Sequence, residues 1–205
     1  MPSQARTWPV VPVFPLPDYY LFPGTLAPLQ IFETRYRQMM DDLMDGPGRM
    51  VILPYSETTP REDFGPILPK TGTLVEVAQH ERLTDGRWLI MVMALDRVAV
   101  TEVPSDRLYR KVQAEVLAER VPVGSPGIEL YKRVIEALEQ RTAGDWDTPQ
   151  KTPLGRLADL LLHALPLDSA QKCNAYNELN PGSRAELALD WHHATGSDAE
   201  RAGES

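Results

Sequence analysis

The sequence predicts an α+β protein in which the strands precede most of the helices. Up to about residue 120, apolar residues occur in short alternating or continuous blocks bounded by proline and glycine, which is typical of β-strands. Beyond that point they recur at helical spacing between helix-start and helix-stop residues. We therefore predict a β-rich domain over residues 8–120, a helical subdomain over 121–196 and a disordered polar tail over 197–205.

The predicted strands are short, and proline sets where several of them can lie. We expect residues 10–14 to form an edge strand, because Pro12 cannot donate to a central ladder. Asp85 and Gly86 predict a hairpin turn, followed by a return strand over 88–94 that is apolar enough for burial on both faces. The stretch 55–69 has no period and is predicted to be a loop. The other strands are predicted at 25–31, 50–53, 73–83, 97–100 and 112–117.

One helix is predicted among the strands and four follow them. The first carries an apolar stripe made of Phe32, Tyr36, Met39, Met40, Leu43 and Met44. In the second half, Ser125 with Pro126 predicts a helix start whose stripe is Ile128, Tyr131, Val134, Ile135 and Leu138. Thr152 and Pro153 open the next helix. Capping boxes of Asp168 with Gln171 and of Ser183 with Glu186 predict the last two.

Composition excludes several classes of function. The net charge is −8, with no block of Lys and Arg, which argues against a nucleic-acid partner. The one cysteine, Cys173, rules out an intrachain disulfide and a Cys-based zinc site, and fits a reducing cytoplasm. Prolines interrupt the apolar start at 10–22, and no segment reaches the roughly 18 apolar residues of a membrane span. We expect a cytoplasmic protein without a membrane partner.

The sequence offers no convincing catalytic or cofactor motif. It lacks a Walker A loop, a Gly-x-Gly-x-x-Gly after a strand and a His-Glu-x-x-His. Ser169 and Lys172 have the spacing of a Ser-x-x-Lys nucleophile, but Lys70-Thr71-Gly72 precedes them in reverse order and the Ser-Asp-Asn element is missing, so we interpret the match as chance. The four histidines, His80, His163, His192 and His193, are interpreted as surface residues; the adjacent pair points about 100° apart on a helix. We predict no enzyme, no cofactor and no metal.

Three ordered motifs resemble the Lon N-terminal domain family. The first runs from Phe14-Pro15-Leu16-Pro17 through Leu21-Phe22-Pro23-Gly24 to Pro28-Leu29-Gln30-Ile31-Phe32-Glu33-Thr34-Arg35-Tyr36. The second comprises Gly72 to Val77, the Asp85-Gly86 turn and Leu95-Asp96-Arg97-Val98. The third is Leu165-Pro166-Leu167-Asp168 followed by Lys172. Ala94 departs from the family, where many members have glycine. Together these motifs cover most of residues 10 to 190.

The resemblance implies a PUA-like mixed β-barrel with a C-terminal helical bundle. It implies recognition rather than catalysis: a stand-alone module, without the ATPase and Ser-Lys protease domains of Lon, that binds unfolded or degron-bearing polypeptides. Two alternatives remain open at this point. PUA-like barrels often serve RNA, and cereblon-type relatives suggest a small-molecule pocket. Neither the oligomeric state nor any complex that the module serves follows from the residues.

Aromatic and apolar residues near loops are the candidate contacts for an extended peptide. They are Tyr19, Tyr20, Leu21, Phe22, Tyr55 and Phe64. The alternative is that they build the core. We expect Gly24 to serve a turn, and Phe32 and Tyr36 to be core residues. Glu33 and Arg35 are two residues apart in the predicted helix and are not expected to pair with each other.

Overall fold

Strands come first along the chain and most helices last. The computed structural model describes residues 9–56, 58–62, 65–119, 127–142 and 152–203, with side chains through Thr195 except Arg61 and Glu62. The chain divides into two units after Leu117. The first contains β1 (Val11–Pro17), β2 (Leu26–Ile31), α1 (Thr34–Met44), β3 (Arg49–Tyr55), β4 (Arg61–Glu62), β5 (Gly65–Pro66), β6 (Thr71–Arg82), β7 (Trp88–Val103) and β8 (Lys111–Val116). The second contains α2 (Ile128–Thr142), α3 (Leu154–Ala164), α4 (Ser169–Asn177) and α5 (Pro181–Gly203).

A closed barrel forms because β7 is long enough to pair at both ends. Its first half pairs with β2, most of its length pairs with β6, and its last residues pair with β8. The strands β6, β3, β1 and β8 complete the ring, in which only the β1–β3 pair is parallel. Register shifts after Leu74 and Val77 mark β-bulges in β6, which bend a strand and increase its twist. The predicted strands 88–94 and 97–100 are therefore one bent strand.

The expected edge strand, β1, lies inside the ring instead. It pairs with β8 at Val11 and Pro12 and with β3 from Val13 to Pro17, so the two ladders use different parts of the strand. Prolines are tolerated in β1 because each of them is paired with one neighbouring strand only, so that no N–H is required on the other side. The edge strand is β2, which pairs with β7 alone among the described residues.

The barrel interior is filled by aliphatic side chains from all five strands of the ring. They form one buried cluster of Val11, Val13, Val51, Leu53, Leu74, Val98, Val112 and Ala114. Gly72 lies against this cluster, where an added Cβ would come within 2.6 Å of Val51 Cγ1 and 2.9 Å of the Ile52 carbonyl oxygen. Glycine is needed here because two strands approach each other closely.

Helix α1 covers the other face of β3 and its neighbours. Tyr36, Met39, Met40 and Leu43 are buried against the sheet, as the apolar stripe predicted. Phe32 was expected in the core, but 63% of its surface is exposed, because it precedes the helix. Glu33 is the extended N-cap residue, and its carboxylate pairs with Arg35 at 2.8 Å. The expectation that these two do not pair was wrong, since Glu33 is not in the helix.

The helical unit packs α3 and α5 around a buried ion cluster. Arg184 on α5 is fully buried; its Nε lies 3.0 Å from Asp159 Oδ1 on α3, and its other nitrogens contact Glu119 and the Glu178 carbonyl oxygen. Several apolar residues on α2 and α3 are also buried, namely Leu130, Val134, Ala137, Leu138, Leu157, Ala158, Leu161 and Leu162. Ile128, predicted in the stripe, is 78% exposed because it is the first residue of α2.

Two helix starts test the capping predictions directly. The box of Asp168 with Gln171 is confirmed, since each side chain bonds the other residue's backbone N–H. The box of Ser183 with Glu186 is wrong: α5 begins at Pro181, and Asn180 Oδ1 accepts the backbone N–H groups of Gly182 and Ser183. The helix also continues to Gly203, so a disordered tail from 197 is not what the structure shows up to that residue. The predicted cap at Ser125 and Pro126 lies outside the described residues.

Candidate functional site

Two of the candidate peptide contacts are core residues. Leu21 and Phe22 are 3% and 1% exposed. The Leu21 carbonyl oxygen accepts a hydrogen bond from the Thr73 hydroxyl at 2.7 Å, and the Arg97 guanidinium lies 5.8 Å from the centre of the Phe22 ring. Gly24 follows at φ 89°, so the segment is a turn held inside the fold. Leu21 and Phe22 are therefore corrected from candidate contacts to core, because apolar side chains beside a turn are buried wherever the sheet can cover them.

The other candidates are half-buried or lie beyond the described residues. Tyr19 packs against the α1 core cluster, and burial raises the pKa of its phenol. Tyr20 and Tyr55 are also half-buried. The Tyr55 carbonyl oxygen accepts the Asp18 N–H at 2.8 Å, which holds the start of the tyrosine pair beside the end of β3. Phe64 lies outside the described residues. The part of these four aromatic residues in ligand binding stays a prediction.

The structure exposes a different set of apolar side chains, on the outer face of β2 and β7. Alternation places Ala27, Ile31, Ile90 and Val92 in the core. The opposite face presents what we call the β2–β7 patch, made of Leu26, Pro28, Leu89, Met91 and Met93. Leu26 and Leu89 are 50% and 41% exposed. Phe32 follows one residue after β2 and is exposed as well.

Paired residues make the patch continuous across the two strands. Leu26 is opposite Met93, and Pro28 is opposite Met91, so the apolar side chains lie side by side. A shallow groove of about 510 Å³ lies over the end of this face that contains Pro28, Leu89 and Met91, and it reaches Gln79 and Glu81 on β6. The patch thus has an apolar centre and a polar margin, with Gln30 on one side and the β6 residues on the other.

The patch ends at an open strand edge. Ala94 donates to the Thr25 carbonyl oxygen at 2.9 Å, and bonded and non-bonded pairs alternate along an antiparallel ladder. The backbone groups of Leu26, Pro28 and Gln30 therefore point away from β7. Pro28 suits this position because it has no N–H to leave unpaired. Across the described part of the chain, no second strand pairs with this edge.

The β2–β7 patch was not predicted from the sequence because of the apolar composition of β7. Residues 88–94 form an unbroken apolar run, which predicted burial on both faces. In the structure, burial alternates along β7, and Leu89 faces solvent while Trp88 and Ile90 face the core. The signal that could have predicted it is Pro28, because proline in a strand indicates an edge, together with Leu26 on the same face.

The histidines show no metal site. Among the residues whose side chains are described, no group of three or more His, Cys, Asp or Glu could hold a metal ion. His192 was interpreted as a surface residue but is 8% exposed, with Arg141 Nε 3.1 Å from its Nδ1. Ser169 is the exposed first residue of α4, in the first turn after the cap at Asp168. In the described part of the chain, no helix combines the length and hydrophobicity needed to span a bilayer.

A family model matches nearly the whole chain. Residues 10–192 match the substrate-binding domain of ATP-dependent protease La (LON). The chain is 24% identical over 182 residues to the Lon protease of Syntrophomonas wolfei and 26% identical over 191 residues to Lon protease 2 of Desulfotalea psychrophila. These alignments cover 84% and 88% of the chain but 22% and 24% of the relatives. The chain therefore spans about a quarter of the length of these relatives.

Solved structures show the same fold. A Lon N-terminal domain protein from Xanthomonas campestris superposes with a TM-score of 0.67 at 20% identity, covering 90% of this chain and 99% of that one. The N-terminal domain of a Lon protease from the Mycobacterium avium complex gives a TM-score of 0.66, also at 20% identity, over 90% of this chain and 98% of the other. The predicted α+β fold, a PUA-like mixed β-barrel followed by helices, is confirmed.

Proposed function

The chain belongs to the family of Lon substrate-binding domains, and from that premise we propose that it recognises polypeptides through the β2–β7 patch. The proposed ligands are unfolded or degron-bearing proteins, bound by their exposed apolar segments. The module acts by binding and carries out no reaction of its own. The observation that carries the proposal is the exposure of Leu26 and Leu89 on one continuous sheet face. Contiguous exposed apolar surface with a polar margin is typical of interaction sites.

The side chains of the patch suit ligands of varied sequence. Met91 and Met93 lie between the two leucines on the outer face of the sheet. Methionine is flexible and polarizable, and it is frequent on surfaces that bind many different partners. A patch with methionine at its centre can adapt to leucine, valine or phenylalanine in a bound segment. This property fits the recognition of unfolded chains better than the recognition of one folded partner.

The open edge of β2 supports binding of an extended segment. The outward carbonyl and amide groups of Leu26 and Gln30 could hydrogen-bond a peptide that lies beside β2, as in peptide recognition by strand addition. Pro28, between them, offers only a carbonyl oxygen and limits the length of such a ladder. We therefore expect the apolar side chains to supply most of the affinity and the backbone to supply a minor part.

Binding of an unfolded protein tests the proposal. Fluorescently labelled, permanently unfolded casein would be titrated with the purified chain and followed by anisotropy. We expect Leu89→Ser and Leu26→Ser each to weaken binding by about tenfold, since burying the exposed half of a leucine side chain contributes roughly 1–1.5 kcal/mol. Ile128→Ser is the matched control, because Ile128 is an equally apolar, 78% exposed residue outside the patch.

Equal affinities of the three variants and the parent chain would contradict the proposal. Retained folding must be shown alongside, by the same far-UV circular dichroism and melting temperature. Because Leu26 and Leu89 are already exposed, their replacement by serine should change stability little. A loss of binding can then be assigned to the patch itself.

A further inference from the structure

A second groove in the β-rich unit lies apart from the β2–β7 patch. It has a volume of about 530 Å³ and is bordered by the start of α1, by β1 and by the connection from β7 to β8. Its apolar lining includes Val13, Val103 and Leu108, and Leu108 is 62% exposed. A cavity of this size is large enough for a ligand of several tens of atoms.

The polar groups that line this groove have their acceptors already occupied. Both carboxylate oxygens of Glu102 accept hydrogen bonds from Arg110 at 2.6 Å. The Ser105 hydroxyl donates to the Tyr109 carbonyl oxygen at 2.7 Å and accepts the Arg107 N–H. The acceptors in the lining side chains are thus satisfied within the protein. A ligand would find few of them to bind.

Some hydrogen-bond donors in the lining of this groove, by contrast, remain available to a ligand. Among the described residues, the Arg107 side chain makes its ion pair through Nε, 3.3 Å from Asp42 Oδ2. That same oxygen already accepts the Tyr109 hydroxyl at 2.8 Å. Arg35 contacts Glu33 through Nε and one terminal nitrogen. Both pairs are exposed, and exposed ion pairs are weakly held. Each guanidinium can therefore turn unused N–H groups to a ligand.

Tyr36 adds a hydroxyl donor to the same lining. Its side chain as a whole is 6% exposed. Burial raises the pKa of this phenol, so it keeps its proton at neutral pH and can donate. This hydroxyl can donate a hydrogen bond to an acceptor that a ligand brings into the groove.

We propose that this groove binds the C-terminal end of a polypeptide whose last residue is apolar. The terminal carboxylate accepts hydrogen bonds from Arg107, Arg35 and Tyr36, and the apolar side chain packs on Val103 and Leu108. A carboxylate is a suitable acceptor for a guanidinium, because it can take two parallel hydrogen bonds. The choice of a chain end over a free acid rests on the proposed recognition of polypeptides.

Three guanidinium groups and one carboxylate line the groove, and the carboxylate, Glu102, is paired with Arg110. The carboxylates of Glu33 and Asp42 balance two of these arginines from outside the lining. An incoming carboxylate therefore competes with Asp42 for Arg107. This competition predicts the sign of a variant: removing the charge of Asp42 should tighten binding rather than weaken it.

The test compares two labelled peptides that differ only in their last group. Each is a flexible Gly-Ser chain ending in leucine, with either a free carboxylate or a carboxamide, and the full chain is titrated into each while anisotropy is followed. We expect the carboxylate peptide to bind at least about tenfold more tightly, as hydrogen bonds to a charged group require. Arg107→Gln and Tyr36→Phe should each reduce this ratio, and Asp42→Asn should increase it.

Arg87→Gln is the control for charge, because Arg87 also forms an exposed pair, with Asp85 in the hairpin. It should leave the ratio unchanged. Equal binding of the two peptides, or no binding of either, overturns the groove proposal. Binding of acetate, a carboxylate without an apolar side chain, as tightly as the carboxylate peptide overturns its assignment to a chain end with an apolar last residue. A failure of the β2–β7 patch proposal can be distinguished from a failure of the groove proposal, since casein binding and its loss in Leu89→Ser do not depend on the terminal group.

Discussion

Arg184 Nε lies 3.0 Å from Asp159 Oδ1, and both side chains are buried within the helical unit. The contact is an ion pair whose angle falls outside the range of a hydrogen bond. The other guanidinium nitrogens contact Glu119 and the Glu178 carbonyl oxygen. One arginine thus joins α5, α3, the segment before α2 and the turn before α5. Burial makes this cluster sensitive to the loss of any one partner.

Arg184→Met should destabilise the helical unit by about 3–5 kcal/mol, because it removes the buried Arg184 cation from the Asp159 carboxylate. Urea unfolding followed by circular dichroism at 222 nm measures the change. Arg133→Met is the control, since Arg133 pairs with Glu186 at 3.5 Å on the surface and should cost at most about 1 kcal/mol. Similar losses of unfolding free energy in both variants would show that the buried pair contributes no more to stability than the surface pair.

The start of α5 gives a prediction on which the sequence and the structure disagree. Asn180→Ala should cost about 1 kcal/mol, because the Asn180 side chain accepts two backbone N–H groups of the first turn. Ser183→Ala should change the free energy of unfolding by less than about 0.5 kcal/mol. Chemical denaturation of the two variants distinguishes the caps. A larger loss for Ser183→Ala would restore the capping box expected from the sequence.

Gly72→Ala should destabilise the barrel by about 1–3 kcal/mol, the usual cost of overpacking a core. The added Cβ would lie 2.6 Å from Val51 Cγ1 and 2.7 Å from Leu53 Cδ2, in the middle of the interior cluster. Gly127→Ala serves as the comparison, because a Cβ there meets nothing within 4 Å. Melting temperatures of the two variants give the readout, and an unchanged value for Gly72→Ala would contradict the close approach of β6 to β3.

His192 should make the stability of the helical unit depend on pH. Burial lowers the pKa of the His192 imidazole, and the charges of Arg141 and His193 lower it further. Arginine only donates, so Nδ1 accepts from Arg141 and Nε2 carries the proton, 3.1 Å from Gln140 Oε1. Since the folded pKa lies below the unfolded value of about 6.5, the unfolded state binds more protons between the two values.

The stabilising contribution of neutral His192 is therefore complete above about pH 6.5 and is lost as the pH falls through the folded pKa. Urea unfolding at a series of pH values between about 4 and 8 should show this slope, and His192→Gln should flatten it. The exposed neighbour gives the comparison, because His193→Gln should leave most of the slope in place. An equal slope in the parent chain and in His192→Gln would assign the dependence to other groups.

Several elements could be predicted from the sequence because they depend on interactions between residues close together in the chain. The α1 stripe, the Asp85-Gly86 turn and the Asp168 capping box depend on residues within one or two turns of the chain, and all three appear in the structure, except that Phe32 lies outside the α1 stripe. Gly24 adopts the positive φ that its turn position required. The three ordered motifs also led to the right family, because turn residues and core spacing are fixed by the fold they build.

Tertiary structure decided what the chain shows to solvent. Leu21 and Leu89 are both leucines in apolar runs, yet one is 3% and the other 41% exposed. The sequence cannot tell them apart, because exposure depends on which strand is the edge of the sheet and which face α1 covers. Arg184 makes the opposite case, since its burial depends on Asp159 and Glu119, which are distant in sequence. The residues alone determined the fold class and the family; long-range packing determined the surfaces available for binding.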